Sequence, residues 1–346
     1  MDVQNLRIGD ICKMVCSGGT PKSSEPSYYD GGIPWLNTNE VNFCNIYSTN
    51  KTISEEGLKK SAAKFIPVNT VIVAMYGVTA GKSAIAKIPL TTNQACCNLI
   101  IDDKKADYNY VYNFLRLQSD FLNKLANGGA QQNLNSIIIK KFKISLPSLP
   151  TQRKIASILS AYDSLIENNT KRIRLLEQMA ENLYKEWFVR FRFPGHEKVE
   201  MEKSKLGKIP SSFAVITMGA VFDYYIGGGW GNDEQTEEFE IEASVIRGAD
   251  FPSVWHYDVS TCPQRYHKVS NYKSRQLEDG DIVMEISGGT SEQPVGRSVL
   301  VTQDMIDRFK DGKVICASFC KLIRLKKEII SPYYFYYWMK FLYDTR

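Results

Sequence analysis

Histidine is nearly missing from this sequence: His196, His256 and His267 are the only three in 346 residues, and they stand too far apart to pair as ligands. The eight cysteines (Cys12, Cys16, Cys44, Cys96, Cys97, Cys262, Cys316, Cys320) form no C-x-x-C unit. Neither a zinc site nor a redox dithiol is suggested, and the thiols read as reduced and mostly buried. No apolar run approaches the roughly 20 residues that cross a bilayer, and the opening MDVQNLRIGD is polar and acidic from its second residue, unlike a secretory leader. The expectation is a soluble, cytoplasmic protein without a metal site or a membrane partner. Charge of one sign is scarce too: 43 Lys and Arg against 38 Asp and Glu leave a net +5, which permits a nucleic-acid partner without announcing one.

Catalytic signatures are also wanting. The glycines of Gly227 to Gly231 do not make a G-x-G-x-x-G at a strand-helix junction, and neither an S-adenosylmethionine loop nor an Asn/Asp-Pro-Pro-aromatic motif occurs. Asp281 and Glu285 lack the following lysine of a metal nuclease. The best decoy is MYGVTAGKSAI, where Gly77, Gly81, Lys82 and Ser83 follow a strand-like run. Its glycines are one residue closer than in a phosphate-binding loop, and the AIAKIPLTT that follows is β-like and contains Pro89, whereas such a loop must open a helix. The chain is therefore read as having no catalytic residues and no cofactor of its own.

What is present is organisation. Val68 to Tyr76, Ala95 to Ile101 and Ile137 to Leu146 are short β-branched runs that read as strands, and Tyr108 to Ala126 has helical spacing and ends on Asn127-Gly128, a C-cap signal. From Thr151 the pattern changes. Ile155, Leu159, Tyr162, Ile166, Asn169, Ile173, Leu176, Ala180, Leu183 and Trp187 alternate steps of four and three, an average of about 3.5 that is the period of a coiled-coil seam. A helix of that length is a rod of roughly 50 Å. The charged, proline-punctuated stretch Phe191 to Pro210 reads as a linker. The fold class is thus α+β: residues 1–150 a first mixed α/β domain, 151–190 a long spacer helix, 191–210 a linker and 211–346 a second domain.

The second domain repeats the first. Leu6 to Pro21 parallels Ile216 to Gly231, and Ile33 to Val41 parallels Ala243 to Phe251. Gly57 to Gly77 parallels Asn271 to Gly289, and Thr92 to Leu115 parallels Val314 to Met339, all in the same order. Arg297 then sits where the decoy loop has its Gly-Lys-Ser, a further argument against nucleotide binding. Loops at matching places carry amide, hydroxyl and basic side chains: Asn37, Thr38 and Asn39, then Tyr76, Thr79 and Lys82, then Asn93 and Gln94 in the first copy; Arg247, Ser287, Thr290 and Arg297 in the second. Such groups read base edges, Asn or Gln on adenine and Arg or Lys on guanine, while lysines such as Lys140 and Lys141 suit phosphates.

These pieces resemble the DNA-specificity subunit of Type I restriction-modification enzymes. The resemblance is carried by Gly129, Gln132 and Leu134, then Ile144, Leu146, Pro147, Pro150, Gln152 and Ile155 entering the helix, by the helix itself, and by GKIPSSF at the start of the second half. It implies two target-recognition domains, each reading half of a split site in double-stranded DNA. The spacer helix would dock methyltransferase (modification) subunits through Ile155, Leu159, Tyr162, Ile166, Asn169, Ile173, Leu176, Leu183 and Trp187. Restriction subunits would join through those, with S-adenosylmethionine, ATP and magnesium held by the partners and no catalysis by this chain.

The family also has a closing segment and a second helix that find no counterpart after Met339. The expectation is a truncated or rearranged allele, with self-association through the helix as another outcome. The other readings are a helical-rod scaffold without sequence-specific DNA binding and a nucleotide-binding enzyme built on Lys82.

Overall fold

A computed structural model describes residues 3–127 and 134–345. The chain divides between residues 171 and 172 into two compact units, each described here by itself.

Unit one runs through β1 (Gln4–Arg7), β2 (Cys12–Ser17), β3 (Tyr29–Leu36), β4 (Cys44–Ile46), β5 (Lys51–Ile53), α1 (Glu55–Lys59), β6 (Phe65–Ile66), β7 (Val71–Ala74), β8 (Ser83–Ala86), β9 (Leu90–Thr92) and β10 (Cys96–Ile101). It continues through α2 (Tyr108–Leu117), α3 (Ser119–Asn127), α4 (Ser136–Lys141), β11 (Lys143–Leu146) and the start of α5 (Leu149–Tyr184). One sheet has the order β2-β10-β7-β8-β4, a second β5-β3-β9-β6, and β1 pairs with β11. β7 explains why its sequence is apolar throughout. Val71 and Val73 pack into the core that also holds Val111 and Leu115 of α2, while Ile72 and Ala74 pack on the other face with Leu36 and Leu90. A strand buried on both sides has no polar face to alternate with.

Two expectations are corrected. The span Tyr108 to Ala126 is two helices, broken at Gln118 (φ −93°, ψ 6°). The break admits the glycine turn before β8: Gly81, at φ +84°, lies so close that an added Cβ would be 2.8 Å from Ser119 O and Asn123 N. Ile137 to Leu146 is not one strand, because the Asn135 side chain accepts from the backbone N–H of Ile137 and of Ile138, each at 2.9 Å, and starts α4. A good N-cap outweighs the β-branched composition here. The strand is only Lys143–Leu146, and Lys140 and Lys141 are helical. Gly128, Gly129 and Gln132 lie outside the described residues.

α5 opens with Pro150 in its first turn, where a missing N–H costs nothing. Gln152, 1% exposed, ties this turn down: Oε1 accepts from Asp107 N at 3.0 Å and Nε2 donates to Pro147 O at 2.9 Å. Towards unit one the helix uses the stripe Gln152, Ala156, Ser160, Asp163 and Glu167, with Asp163 accepting from Arg116 Nη1 at 3.0 Å. The apolar seam is a different stripe. Ile155, Leu159, Tyr162, Ile166, Ile173, Leu176 and Leu183 remain exposed, as does Asn169, while Trp187 is half-buried in the wider helical turn Lys185–Val189.

Unit two holds β12 (Met201–Ser204) and β13 (Gly207–Pro210), a hairpin inside the stretch expected as linker. It continues with α6 (Met218–Val221), β14 (Phe222–Gly227), β15 (Ile241–Ile246), α7 (Phe251–Val254), β16 (Gln264–His267), α8 (Val269–Arg275), β17 (Ile282–Glu285), β18 (Ser298–Leu300), α9 (Gln303–Ile306), β19 (Val314–Cys316), β20 (Cys320–Leu325) and α10 (Pro332–Asp344). Its sheets, β14-β20-β17-β18 and β16-β15-β19, repeat the order β2-β10-β7-β8 and β5-β3-β9 of unit one.

The repeat holds to the residue. β3 and β9 run parallel with Leu36 opposite Thr92, and β15 and β19 run parallel with Ile246 opposite Cys316. Ala74 N donates to Lys82 O and Glu285 N to Arg297 O, both at 2.9 Å. Gly18 and Gly228, the glycine clusters of the two copies, fill the same role: an added Cβ would lie 1.9 Å from Thr92 O in one and 2.1 Å from Ala317 O in the other. Those glycines serve backbone approach within the fold.

Candidate nucleic-acid interface

In unit one, three loops meet at one edge because β3 and β9 are parallel neighbours and so end on the same side. Asn37 to Glu40 follow β3 as a single 3-10 turn, Asn93 and Gln94 follow β9, and Tyr76 to Lys82 connect β7 to β8. Asn93 Nδ2 donates to Asn37 Oδ1 at 3.4 Å, and Thr79 Oγ1 donates to Thr38 O at 2.7 Å. The Thr20 hydroxyl bonds Gln94. Lys82 Nζ donates to Asn42 Oδ1 at 2.8 Å and lies 5.7 Å from the centre of the Phe43 ring. Asn39 and Tyr76 are exposed at the same edge. Glu40 braces the turn from within, accepting from Asn37 N at 3.1 Å and from Asn50 N at 2.8 Å.

Lys140 and Lys141 are not brought to this edge. They lie on α4, against the turn Ile8–Ile11 at the β1–β11 side. Lys82 does not cradle a phosphate either, since Ser83 begins strand β8 where a phosphate-binding loop requires a helix.

In unit two the equivalent turn is Gly248–Asp250, opened by Arg247. Arg247 Nε and Nη2 each donate to the Asp250 carboxylate at 2.8 Å, and Nη2 also donates to Thr261 O at 2.9 Å. Burial alone would raise the Asp250 pKa. Hydrogen bonds from Arg247 and Thr261, with the guanidinium charge, outweigh that and hold the carboxyl below the usual range. Arg297 is an interior residue: it donates to Glu285 at 2.9 and 2.8 Å and to Gly248 O at 2.9 Å, beneath the Phe251 ring. It ties strand β17 to the turn, as Thr79 ties its own loop to Thr38. Ser287 and Thr290 are exposed in the loop between β17 and β18.

Several residues at these edges escaped the sequence reading. Phe43, at φ +53°, lies between the cations of Lys82 and Arg116, the latter at 5.8 Å. Phe319 is 66% exposed where the first copy has the buried Ala95; Arg265, which pairs with Asp233 and stacks on Trp230 at 4.3 Å, lies back from the edge in β16, opposite Ala243. Aromatic residues beside cations suit stacking against bases and sugars. The signal available was the pairing of an aromatic with a basic residue across loops distant in sequence, which no periodicity reveals. The thiols play no part: burial pushes Cys12, Cys97, Cys262, Cys316 and Cys320 up to about 12.

Residues 1–178 match the family described as "Type I restriction modification DNA specificity domain". The Type I restriction enzyme MjaIX specificity subunit of Methanocaldococcus jannaschii is 30% identical over 295 residues, which are 82% of this chain and 65% of the relative. The EcoR124I/EcoR124II specificity subunit of Escherichia coli is 26% identical over 205 residues, 57% of this chain and 50% of the relative. The chain thus spans 65% and 50% of the length of these two curated relatives. Among solved structures, the crystal structure of a Type I restriction-modification system S subunit from M. genitalium matches with a TM-score of 0.60 at 17% identity, covering 100% of this chain and 78% of that one. That likeness is one of fold.

Proposed function

This chain belongs to the Type I restriction-modification DNA specificity family, and from that premise we propose that it is the DNA sequence-recognition subunit of a Type I complex, each unit reading one half of a bipartite site. The observation that carries the reading is the repeated edge: loops rich in amide and basic side chains converge in unit one, and unit two rebuilds the same turn at the same strand register. Such groups hydrogen-bond base edges, while surrounding lysines neutralise phosphates. The exposed apolar seam of α5 is the surface offered to methyltransferase subunits, with restriction subunits joining through them. S-adenosylmethionine, ATP and magnesium belong to those partners in this reading, this chain supplies no catalytic group, and the assembly works in the cytoplasm.

The test starts from methylation mapping of the host genome with and without the gene, which identifies the site. The chain, purified with its methyltransferase partner, is then titrated against duplexes carrying that site or a scrambled one. Preference for the site and a fall of orders of magnitude in affinity between about 50 and 200 mM salt are expected. Equal affinity for both duplexes overturns the reading, and affinity indifferent to salt favours a protein-binding scaffold.

A further inference from the structure

Resting on that reading of the loop edge, we propose that Asn37 and Arg247 each read one base in their respective half-sites, each as a donor that demands a major-groove acceptor and so excludes cytosine. The two residues occupy one position of the repeat. Each directly follows the last residue of a parallel-paired strand, Leu36 or Ile246, and opens a 3-10 turn. The third residue of that turn is acidic and accepts from the reader's own backbone N–H, Glu40 from Asn37 at 3.1 Å and Asp250 from Arg247 at 2.9 Å. Both side chains are partly exposed.

Hydrogen bonding fixes what each presents. Ala95 N donates to Asn93 Oδ1 at 3.2 Å, so the Asn93 amide must turn its nitrogen towards Asn37, where it donates to Oδ1 at 3.4 Å. Asn37 therefore has its oxygen engaged and its nitrogen available, since nothing among the described residues accepts from Nδ2. An asparagine with both atoms available pairs with adenine, accepting from N6 and donating to N7. Here the oxygen is turned to Asn93, and the group without a partner among the described residues is the donor Nδ2. Arg247 reaches the same state by another route. Its Nε and Nη2 are held by Asp250 and Thr261 O, so Nη1 alone has no partner among the described residues, on a guanidinium braced by a carboxylate that is itself 1% exposed. A donor without an acceptor matches the N7 of either purine, the O6 of guanine or the O4 of thymine, and finds on cytosine only the opposing N4 amino group.

The test selects binding sites for the full chain, with its methyltransferase partner, from a randomised duplex library. The wild-type site should exclude cytosine at one position in each half. Asn37→Asp, which exchanges the donor for an acceptor at constant shape, should move that position to an amino base, about ten-fold in preference, and leave the other half unchanged. Arg247→Gln should alter only the other half. Asn93→Ala releases the Asn37 oxygen to accept from N4 and should admit cytosine, which decides the matter if Asn37→Asp does not fold. The inference is overturned if Asn93→Ala and Arg247→Gln both return the wild-type site. A wild-type chain that selects no site overturns the DNA-recognition reading instead.

Discussion

Arg297 grips Glu285 through two hydrogen bonds of 2.9 and 2.8 Å, with the two side chains only 9% and 6% exposed, at the register positions that Lys82 and Ala74 hold in the other unit. One sheet position of the repeat has thus become a buried ion pair in one copy and a surface lysine beside an alanine in the other. Cutting one side of such a pair leaves a charge without water or partner. Glu285→Ala should destabilise unit two by about 3 to 5 kcal/mol, whereas Glu285→Ala with Arg297→Met should recover most of the loss. Urea unfolding, followed by amide exchange in β17 and β18, measures both. A single variant as stable as wild type would show that water reaches the pair.

Gln152 is the second structural pin. It satisfies Asp107 N and Pro147 O while 1% exposed, so it fastens the first turn of α5 to the start of α2. Gln152→Leu keeps the bulk and strands both backbone groups, at a cost of about 1 to 3 kcal/mol each. Unit one should melt several degrees lower, with faster amide exchange at Asp107 than elsewhere in α2.

The resemblance singled out Gln152 by its place in a motif, but the reason for it lay in a partner 45 positions away. The same division runs through the whole chain. β7 was legible because a strand buried on two faces needs unbroken apolar residues, β10 because its run is broken only by Asn98, which donates to Thr92, and the repeat was legible because paired strands, tight glycines and acid-closed turns recur in order. α4 was not, because one capping asparagine overruled three β-favouring isoleucines, and neither was the hairpin in the stretch expected as linker. At the loop edge the residue types were visible and their company was not. Arg297 reads like a groove-facing base contact until Glu285 is found beneath it, and Asn37 reads like a contact using both amide atoms until its oxygen is found turned to Asn93.

His267 makes unit two sensitive to mild acid. It is 1% exposed, its Nε2 has no partner among the described residues, and burial, then the charges of Arg265 and Arg275, lower its pKa. The unfolded chain, with an ordinary value near 6.5, therefore binds the proton more readily than the folded one. Stability is fully present above that value and drains as pH falls below about 6.5 towards the folded pKa. Between pH 7 and 5.5 the wild type should lose about 1 kcal/mol that His267→Gln does not lose, read from urea midpoints at each pH. Parallel curves for the two proteins would mean that the imidazole stays neutral in both states.

Leu159 and Leu176 test what the long helix is for. They are 40% and 61% exposed on the apolar seam, on a different stripe from Gln152, Ala156 and Asp163, which hold the helix to unit one. A leucine that touches little costs little to replace, so Leu159→Lys and Leu176→Lys should leave the unfolding free energy within about 0.5 kcal/mol of wild type. A partner that covers the seam would instead have to bury each ammonium, at several kcal/mol per charge. Capture of the methyltransferase subunit should therefore fall by orders of magnitude in both variants, and further in the pair. Phosphate-driven affinity for non-specific DNA should not fall, since the added charge is positive. A seam that tolerated both lysines without loss of capture would move the docking surface to another face of the chain.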